Sequence, residues 1–397
     1  MRKIIIVSIV IVLLPFSISS CKPDYSYLDT ETGKNTESIQ VNSIDTYPED
    51  TEDVSIYGVE IFEYPNPLLV SEYSILTYEQ KVAYNVLSEA LCDTLEKGPT
   101  PGKRYEFPVR VSWFDYQLAF NIIKANFSAI DVFFNYITSA DSLGTQDYVD
   151  YIFLSNHDQL NEDYKMYLEM VDVADRILGS LQHSGNDYDK AFAIANWFVE
   201  NVTFSESTDL SNTCYGALVK KEAVCDGYAK AYDFLCKKAG LYTIYVSSWY
   251  EMHAWNMIRI NNSWYHIDVS RMTKKNIYSS FMMPDQIIQS KAYRDGFYYW
   301  NQETNEYIIP IADSFDLYKD YYKDCEDALS HFESIELSEE IEMYIAFDNY
   351  EEGNAFLQKN GYCITDVTGK KYIITAMNYS GLIYVVRFIN IDKYTIK

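Results

Sequence analysis

A thiol, an imidazole and a carboxylate occur in this chain in an order suited to covalent acyl transfer: Cys225, His253 and Asp268. A cysteine is a useful nucleophile only as thiolate, and a helix N-terminus with a nearby imidazolium favours that form. In such a site His253 takes the thiol proton, and Asp268 sets the tautomer and orientation of the ring. The backbone N–H of Cys225 would then be one donor to the developing oxyanion. Tyr215 is a candidate for the second donor, and Trp255 for a wall of the site.

These roles make demands on the elements around them. Cys225 follows the turn region at Gly216 and opens the apolar series Tyr228, Ala231, Tyr232, Leu235 and Ala239, which stops at Gly240. That spacing predicts a helix with Cys225 in its first turn. His253 to Ile260 and Ser263 to Ser270 are strand-like runs around Asn261-Asn262, a two-residue hairpin turn. With that turn 260 faces 263, so 255 faces 268 and 253 faces 270. His253 and Asp268 become diagonal neighbours on one face, with Cα atoms roughly 7–8 Å apart. A three-residue loop would break this parity.

A lone cysteine at a helix start is more often small core, and a lone histidine on a strand is more often a satisfied core residue. Three such residues in order, each in its required context, favour the catalytic reading. The segment from about Asp187 to Pro284 resembles the bacterial transglutaminase-like superfamily, a papain-like cysteine fold, over about a quarter of the chain. The likeness is carried by Tyr215 to Leu218, Val224 to Ala229, His253 to Asn256 and Trp264 to Asp268. It implies Cys225, His253 and Asp268 as nucleophile, base and orienter. Ser270-Arg271 departs from the pattern, since many relatives carry an aromatic there.

The first residues read as a secretion signal. Arg2-Lys3 precede the apolar run Ile4 to Leu14, which is too short to span a bilayer, and Ile18-Ser19-Ser20-Cys21 matches a bacterial lipobox. The resemblance to lipoprotein signals implies cleavage before Cys21 and diacylglycerol on its thiol. An ordinary secreted protein with an incidental Cys21 is the alternative. Lys22 to about Ser55 is acidic and polar with little to bury, so a disordered tether is expected. No later run is apolar enough to span, so the expected product is anchored at the membrane from outside the cytoplasm.

With 32 basic and 58 acidic residues the formal net charge is −26. That balance argues against nucleic acid and against peripheral binding to anionic lipid. There is no Asp-x-Asp-x-Asp-Gly loop and no Cys-x-x-Cys, so neither metal nor cofactor is expected. Assigning Cys21 to lipid and Cys225 to catalysis leaves five of the seven cysteines: Cys92, Cys214, Cys236, Cys325 and Cys363. No disulfide framework shows in their spacing. Cys225 and Cys236 are separated by roughly 16 Å of helix rise and cannot bridge. Cys214 is the one thiol whose oxidation with Cys225 would silence the site.

The fold class expected is α+β, a papain-like or transglutaminase-like core in which the Cys225 helix packs on an antiparallel sheet. A leader (1–20) and tether (21–56) precede an N-terminal mainly helical region (57–156), the catalytic domain (157–324) and a C-terminal α/β accessory module (325–397). In the N-terminal region Thr77 with Gln80 makes a capping box, and Phe133-Phe134-Asn-Tyr136 reads as core. Tyr278 to Met283 is expected as a strand. The leading function is a surface lipoprotein enzyme acting on an amide or peptide bond of a protein, peptide or cell-wall substrate. Hydrolysis is favoured over transfer to an amine, because transfer needs dedicated apolar walls for which Trp249, Trp255 and Trp264 are candidates. A surface binding or assembly protein using the fold as scaffold is the alternative.

Overall fold

The computed structural model describes residues 76–391, apart from residues 145–146, 249–250, 275–276, 291–295, 298, 302–305, 309, 338–341 and 360. The expected leader, Cys21, the tether and Trp249 lie outside the described residues. The chain enters through Thr77, which caps α1 (Tyr78–Lys97): its hydroxyl accepts from the Gln80 N–H, and the Gln80 side chain accepts from the Thr77 N–H. Two of the helix's otherwise orphaned N–H groups are thereby satisfied. β1 (Arg104–Ser112), α2 (Trp113–Asn126), a 3-10 segment (Ser128–Tyr136), β2 (Ile137–Ala140) and β3 (Tyr148–Leu154) follow. The strands pair antiparallel in the order β1-β3-β2, so a three-stranded sheet stands beside the helices of this region. Phe133, Phe134 and Tyr136 are buried.

Next come α3 (Leu160–Ser180) and α4 (Asp187–Asn201). A short parallel pair, β4 (Thr203–Phe204) with β5 (Glu222–Ala223), then ties the end of α4 to the residues entering α5 (Cys225–Lys238). A π-helical turn, Gly216–Lys220, lies between the two strands. β6 (Tyr242–Ser248), β7 (His253–Ile260) and β8 (Ser263–Ile267) form an antiparallel sheet, extended beyond β6 by β9 (Gly296–Phe297), in the order β8-β7-β6-β9. Asn261 and Asn262 both have positive φ, as the tight hairpin requires, and Ile260 pairs with Ser263. α6 (Asp285–Ser290) and the pair β10 (Tyr299–Asn301) and β11 (Glu306–Ile308) complete this part. The segment expected as a strand at Tyr278 to Met283 is instead 3-10 over Ile277–Ser280 and then irregular. Met282 has φ 55°, which a continuing strand cannot accommodate, and only Met283 bridges to His266.

The tail contributes β12 (Tyr321–Tyr322), α7 (Cys325–Ser334), β13 (Glu342–Phe347), α8 (Tyr350–Gln358), β14 (Tyr362–Thr365), β15 (Lys371–Ser380) and β16 (Ile383–Asn390). They make one sheet, β12-β13-β16-β15-β14, in which only the β12–β13 pair is parallel. One apolar core runs continuously from Leu76 to Tyr318, taking in the N-terminal sheet, its helices and the Cys225 helix, together with Ala346 and Ile383 of the tail. A second core, from Tyr322 to Phe388, belongs to the tail.

α5 lies within the first core. Every residue from Gly227 to Lys237 is buried, including Lys230, Asp233 and Lys237. Side chains such as Phe234 and Leu235 each contribute about 1.5–3 kcal/mol by leaving water. The buried charges are paired: Lys237 Nζ lies 2.7 Å from Asp233 Oδ2 and donates to the Asn126 carbonyl at 2.7 Å. Ser128 and Thr243 donate to the same Asp233 carboxylate. A helix held on all sides in this way has little freedom to shift along its axis, which fixes where Cys225 stands.

Candidate active site

Cys225 is the first residue of α5 and is half-buried. The approach to it is tight. A Cβ on Gly227 would come within 2.4 Å of the Ser211 carbonyl oxygen, and one on Gly216 within 2.1 Å of that of Leu210. Val224 N–H donates to the same Ser211 carbonyl at 2.9 Å, so the preceding loop is pressed onto the first helical turn. Val224 stands at the N-cap and supplies no side-chain cap. The first N–H groups of a helix lack intrahelical acceptors, and an uncapped start suits them to a developing negative charge. Cys225 therefore stands at a helix start whose N–H groups suit a developing oxyanion.

His253 is the first residue of β7, opposite Ser248 of β6. Its Nε2 lies 2.8 Å from Asp268 Oδ2; the aspartate is buried, at 1% exposure, and the imidazole is 10% exposed. Cys225 is within hydrogen-bond reach of the ring. With Nε2 engaged by Asp268, Nδ1 is the nitrogen left for the thiol. Burial disfavours charge on this imidazole, but Asp268 and then Cys225 outweigh it and hold the pKa up to about 9. Asp268 is itself held in place: its N–H donates to the Ser280 carbonyl at 2.9 Å, the Ser270 hydroxyl donates to Oδ1 at 2.6 Å, and Arg271 Nε lies 3.5 Å from Oδ2. Ser270 and Arg271 thus bear directly on the carboxylate.

The other expected site residues are placed differently. The Tyr215 hydroxyl donates to Glu169 of α3 at 2.6 Å. Burial and this carboxylate push its pKa up to about 12. A phenol has one proton, and here it is given to Glu169, so the hydroxyl has none left for an oxyanion. Trp255 is buried and makes no open wall; its indole lies against His253, with ring centroids 6.0 Å apart and planes at 17°. Cys214 is buried, and Cys214 and Cys225 are not joined by a disulfide.

Two residues without an assigned role in the sequence connect these pieces. Asn256, fully buried, donates to the Ala229 carbonyl of α5 at 3.0 Å and so ties the His253 strand to the Cys225 helix. His266, also fully buried, accepts the Trp255 indole N–H at 2.9 Å through Nδ1 and places Nε2 2.8 Å from Asp285. Strand parity is the signal that could have found His266: it lies two residues before Asp268 and so on the same face. Among the described residues no cluster of His, Cys, Asp and Glu is arranged to hold a metal, and no helix is long and apolar enough to cross a membrane.

Residues 173–269, which contain Cys225, His253 and Asp268, match the family model of the transglutaminase-like superfamily. No curated protein matches the chain. Among solved structures, the crystal structure of a TGase is similar at 15% identity and a TM-score of 0.23, over 35% of this chain and 45% of that one. A "putative cysteine protease" from Cytophaga hutchinsonii is similar at 19% identity and a TM-score of 0.22, over 36% and 63%. This chain thus spans less than two thirds of the length of either. Within its α+β fold, the chain carries a domain of the transglutaminase-like superfamily at residues 173–269.

Proposed function

We propose that this protein is a cysteine hydrolase of amide or peptide bonds, with Cys225 as nucleophile, His253 as base and acid, and Asp268 as orienter. The observation that carries the reading is the ring of His253, bonded at 2.8 Å to a buried Asp268 with Cys225 in reach. The thiolate of Cys225 attacks the substrate carbonyl carbon, and the oxyanion forms against the N–H groups at the start of α5. As the C–N bond breaks, the His253 imidazolium gives its proton to the leaving amine, and a thioester remains on Cys225. Water, deprotonated by His253, attacks that thioester; the C–S bond breaks, the acid leaves and the thiolate returns.

Hydrolysis is favoured over transfer to an amine. Trp255 and Trp264 are both buried in the packing around the hairpin, so neither offers the apolar channel that a neutral amine acceptor needs. Incubation of the protein with a glutamine-rich protein and a labelled primary amine tests the assignment. Ammonia or new chain termini, without label and absent in Cys225→Ala, are the expected result. Dominant, Cys225-dependent label incorporation would make the enzyme a transferase. No reaction of any kind at Cys225 would favour the scaffold reading.

The enzyme is further assigned to the outer side of a bacterial membrane, held by diacylglycerol on Cys21 beyond the acidic segment that follows. The support is the lipobox pattern Ile18 to Cys21 behind a short apolar run. Intact-mass measurement of the membrane-extracted protein is expected to show a chain starting at a lipidated Cys21; an unmodified Cys21 refutes the anchor.

A further inference from the structure

We propose that Asp285 and His266 are positioning residues for His253, acting through the indole of Trp255, whose plane they fix against the imidazole. The inference rests on reading Cys225, His253 and Asp268 as an acyl-transfer site, and it assigns work to residues outside that triad. Asp285 stands at the start of α6, beyond the matched segment, with Oδ2 accepting the Ala312 N–H at 3.1 Å and Oδ1 2.8 Å from His266 Nε2. The indole of Trp255 is a donor only, so His266 Nδ1 must accept from it at 2.9 Å. The His266 proton is therefore on Nε2 and is given to Asp285. This chain of donors runs in one direction, Trp255 to His266 to Asp285, and turning the indole about its own axis breaks it.

The far end of the chain is the reason it matters. The Trp255 ring lies nearly parallel to that of His253, 6.0 Å between centroids. His253 must present one nitrogen to Asp268 and the other to Cys225 at once, and a flat neighbour limits the ring rotation that would lose one of them. An indole face also attracts a cation, which favours the imidazolium that the thiolate needs. Among the described residues, the charged and titratable groups around His253 include Cys225 from α5 and Asp268 and Arg271 from the segment after β8. Asp285 and His266 are linked to it through Trp255. A buried indole N–H needs some acceptor in any fold, but a backbone carbonyl would satisfy it. Here the acceptor is an imidazole whose own tautomer is set by a carboxylate, which is an orienting device rather than a filler.

Asp285→Asn tests this with no change of volume. The amide oxygen keeps the Ala312 N–H, so its NH2 faces His266 Nε2, which must then accept. The His266 proton moves to Nδ1 and meets the Trp255 N–H, and the link is broken. The full chain is titrated by 15N ring spectroscopy of its five histidines, with alkylation of Cys225 by iodoacetamide measured alongside. In Asp285→Asn we expect the His253 midpoint to fall by about one unit and the alkylation rate at pH 6–7 to drop about tenfold. Trp255→Phe, which keeps a ring but has no N–H, is expected to move both in the same direction and serves if Asp285→Asn fails to fold. An unchanged His253 titration in either folded variant overturns the proposal. Wild-type protein whose His253 titrates as described but whose Cys225 is never acylated by any amide substrate would refute the hydrolase reading and leave the positioning role standing.

Discussion

Two imidazole–carboxylate pairs sit on neighbouring strands of one sheet, and they share the same hydrogen-bond geometry. His253 with Asp268 and His266 with Asp285 both place Nε2 2.8 Å from a carboxylate oxygen. Both rings are largely withdrawn from water. The difference is what faces Nδ1. For His253 it is a thiol able to give up a proton, whereas for His266 it is an indole N–H that never does. A carboxylate sets the tautomer in each case; on the roles proposed above, the third partner decides whether that tautomer serves proton transfer or holds a neighbour still. A histidine–carboxylate pair in a structure is therefore not by itself a catalytic signature.

The comparison can be broken most forcefully at the carboxylates. Asp268→Asn is expected to lower amide hydrolysis about 10²–10⁴-fold, because the amide misorients the ring that must serve Cys225. Asp285→Asn is expected to cost far less, about tenfold, since it acts through an intermediate indole. Single-turnover acylation rates of both variants check the ranking, and equal losses would erase the distinction drawn between the two pairs.

A smaller effect concerns pH and stability. Burial lowers the pKa of His253, but Asp268 and then Cys225 raise it further, from 6.5 to about 9 in the folded protein. A group whose folded value exceeds its unfolded value stabilises the fold fully below the unfolded value. That stabilisation is lost as pH rises through the folded one. Roughly 3 kcal/mol should therefore fade between about pH 6.5 and 9. Denaturant midpoints across that range, compared with His253→Gln, are expected to show the slope in the native protein and its absence in the variant.

The smallest expected effect is at Arg271. Arg271, largely exposed at 54%, shares the Asp268 oxygen that His253 uses. Its removal takes one positive charge away from that oxygen, so Arg271→Ala should raise the His253 midpoint by about a few tenths of a unit, less at high salt. A fall in the midpoint would mean that Arg271 acts by packing.

How much of this could be read beforehand depended on whether a residue's place follows from local rules. The positions of Cys225, His253 and Asp268 did: an apolar period of a helix and a two-residue turn dictate them, and α5 and the β7–β8 register follow those rules. The same parity puts Trp255 and His266 on the face of His253, yet a buried tryptophan and histidine read as core until their partner is known. That partner, Asp285, is held by the Ala312 N–H across 27 residues, and no local rule links the two. Tyr215 shows the reverse: it is a candidate oxyanion donor in the sequence, but its hydroxyl reaches back 46 residues to Glu169. The run at Tyr278 to Met283 was unreadable for another reason. It is buried at nearly every position, so no alternation distinguishes strand from coil.

The clasp at the far end of α5 carries a practical consequence. Lys237 and Asp233 draw on the Asn126 carbonyl and the Ser128 hydroxyl, residues lying some way before the family segment at 173–269 begins. A fragment cut to the limits of family likeness would keep the thiol, imidazole and carboxylate but uncover a lysine and an aspartate that the fold had sealed. Hydration of those charges would compete with the helix's seat, and Cys225 at its other end would drift with it. Heredity, in this molecule, has drawn its boundary in one place, and mechanical integrity in another.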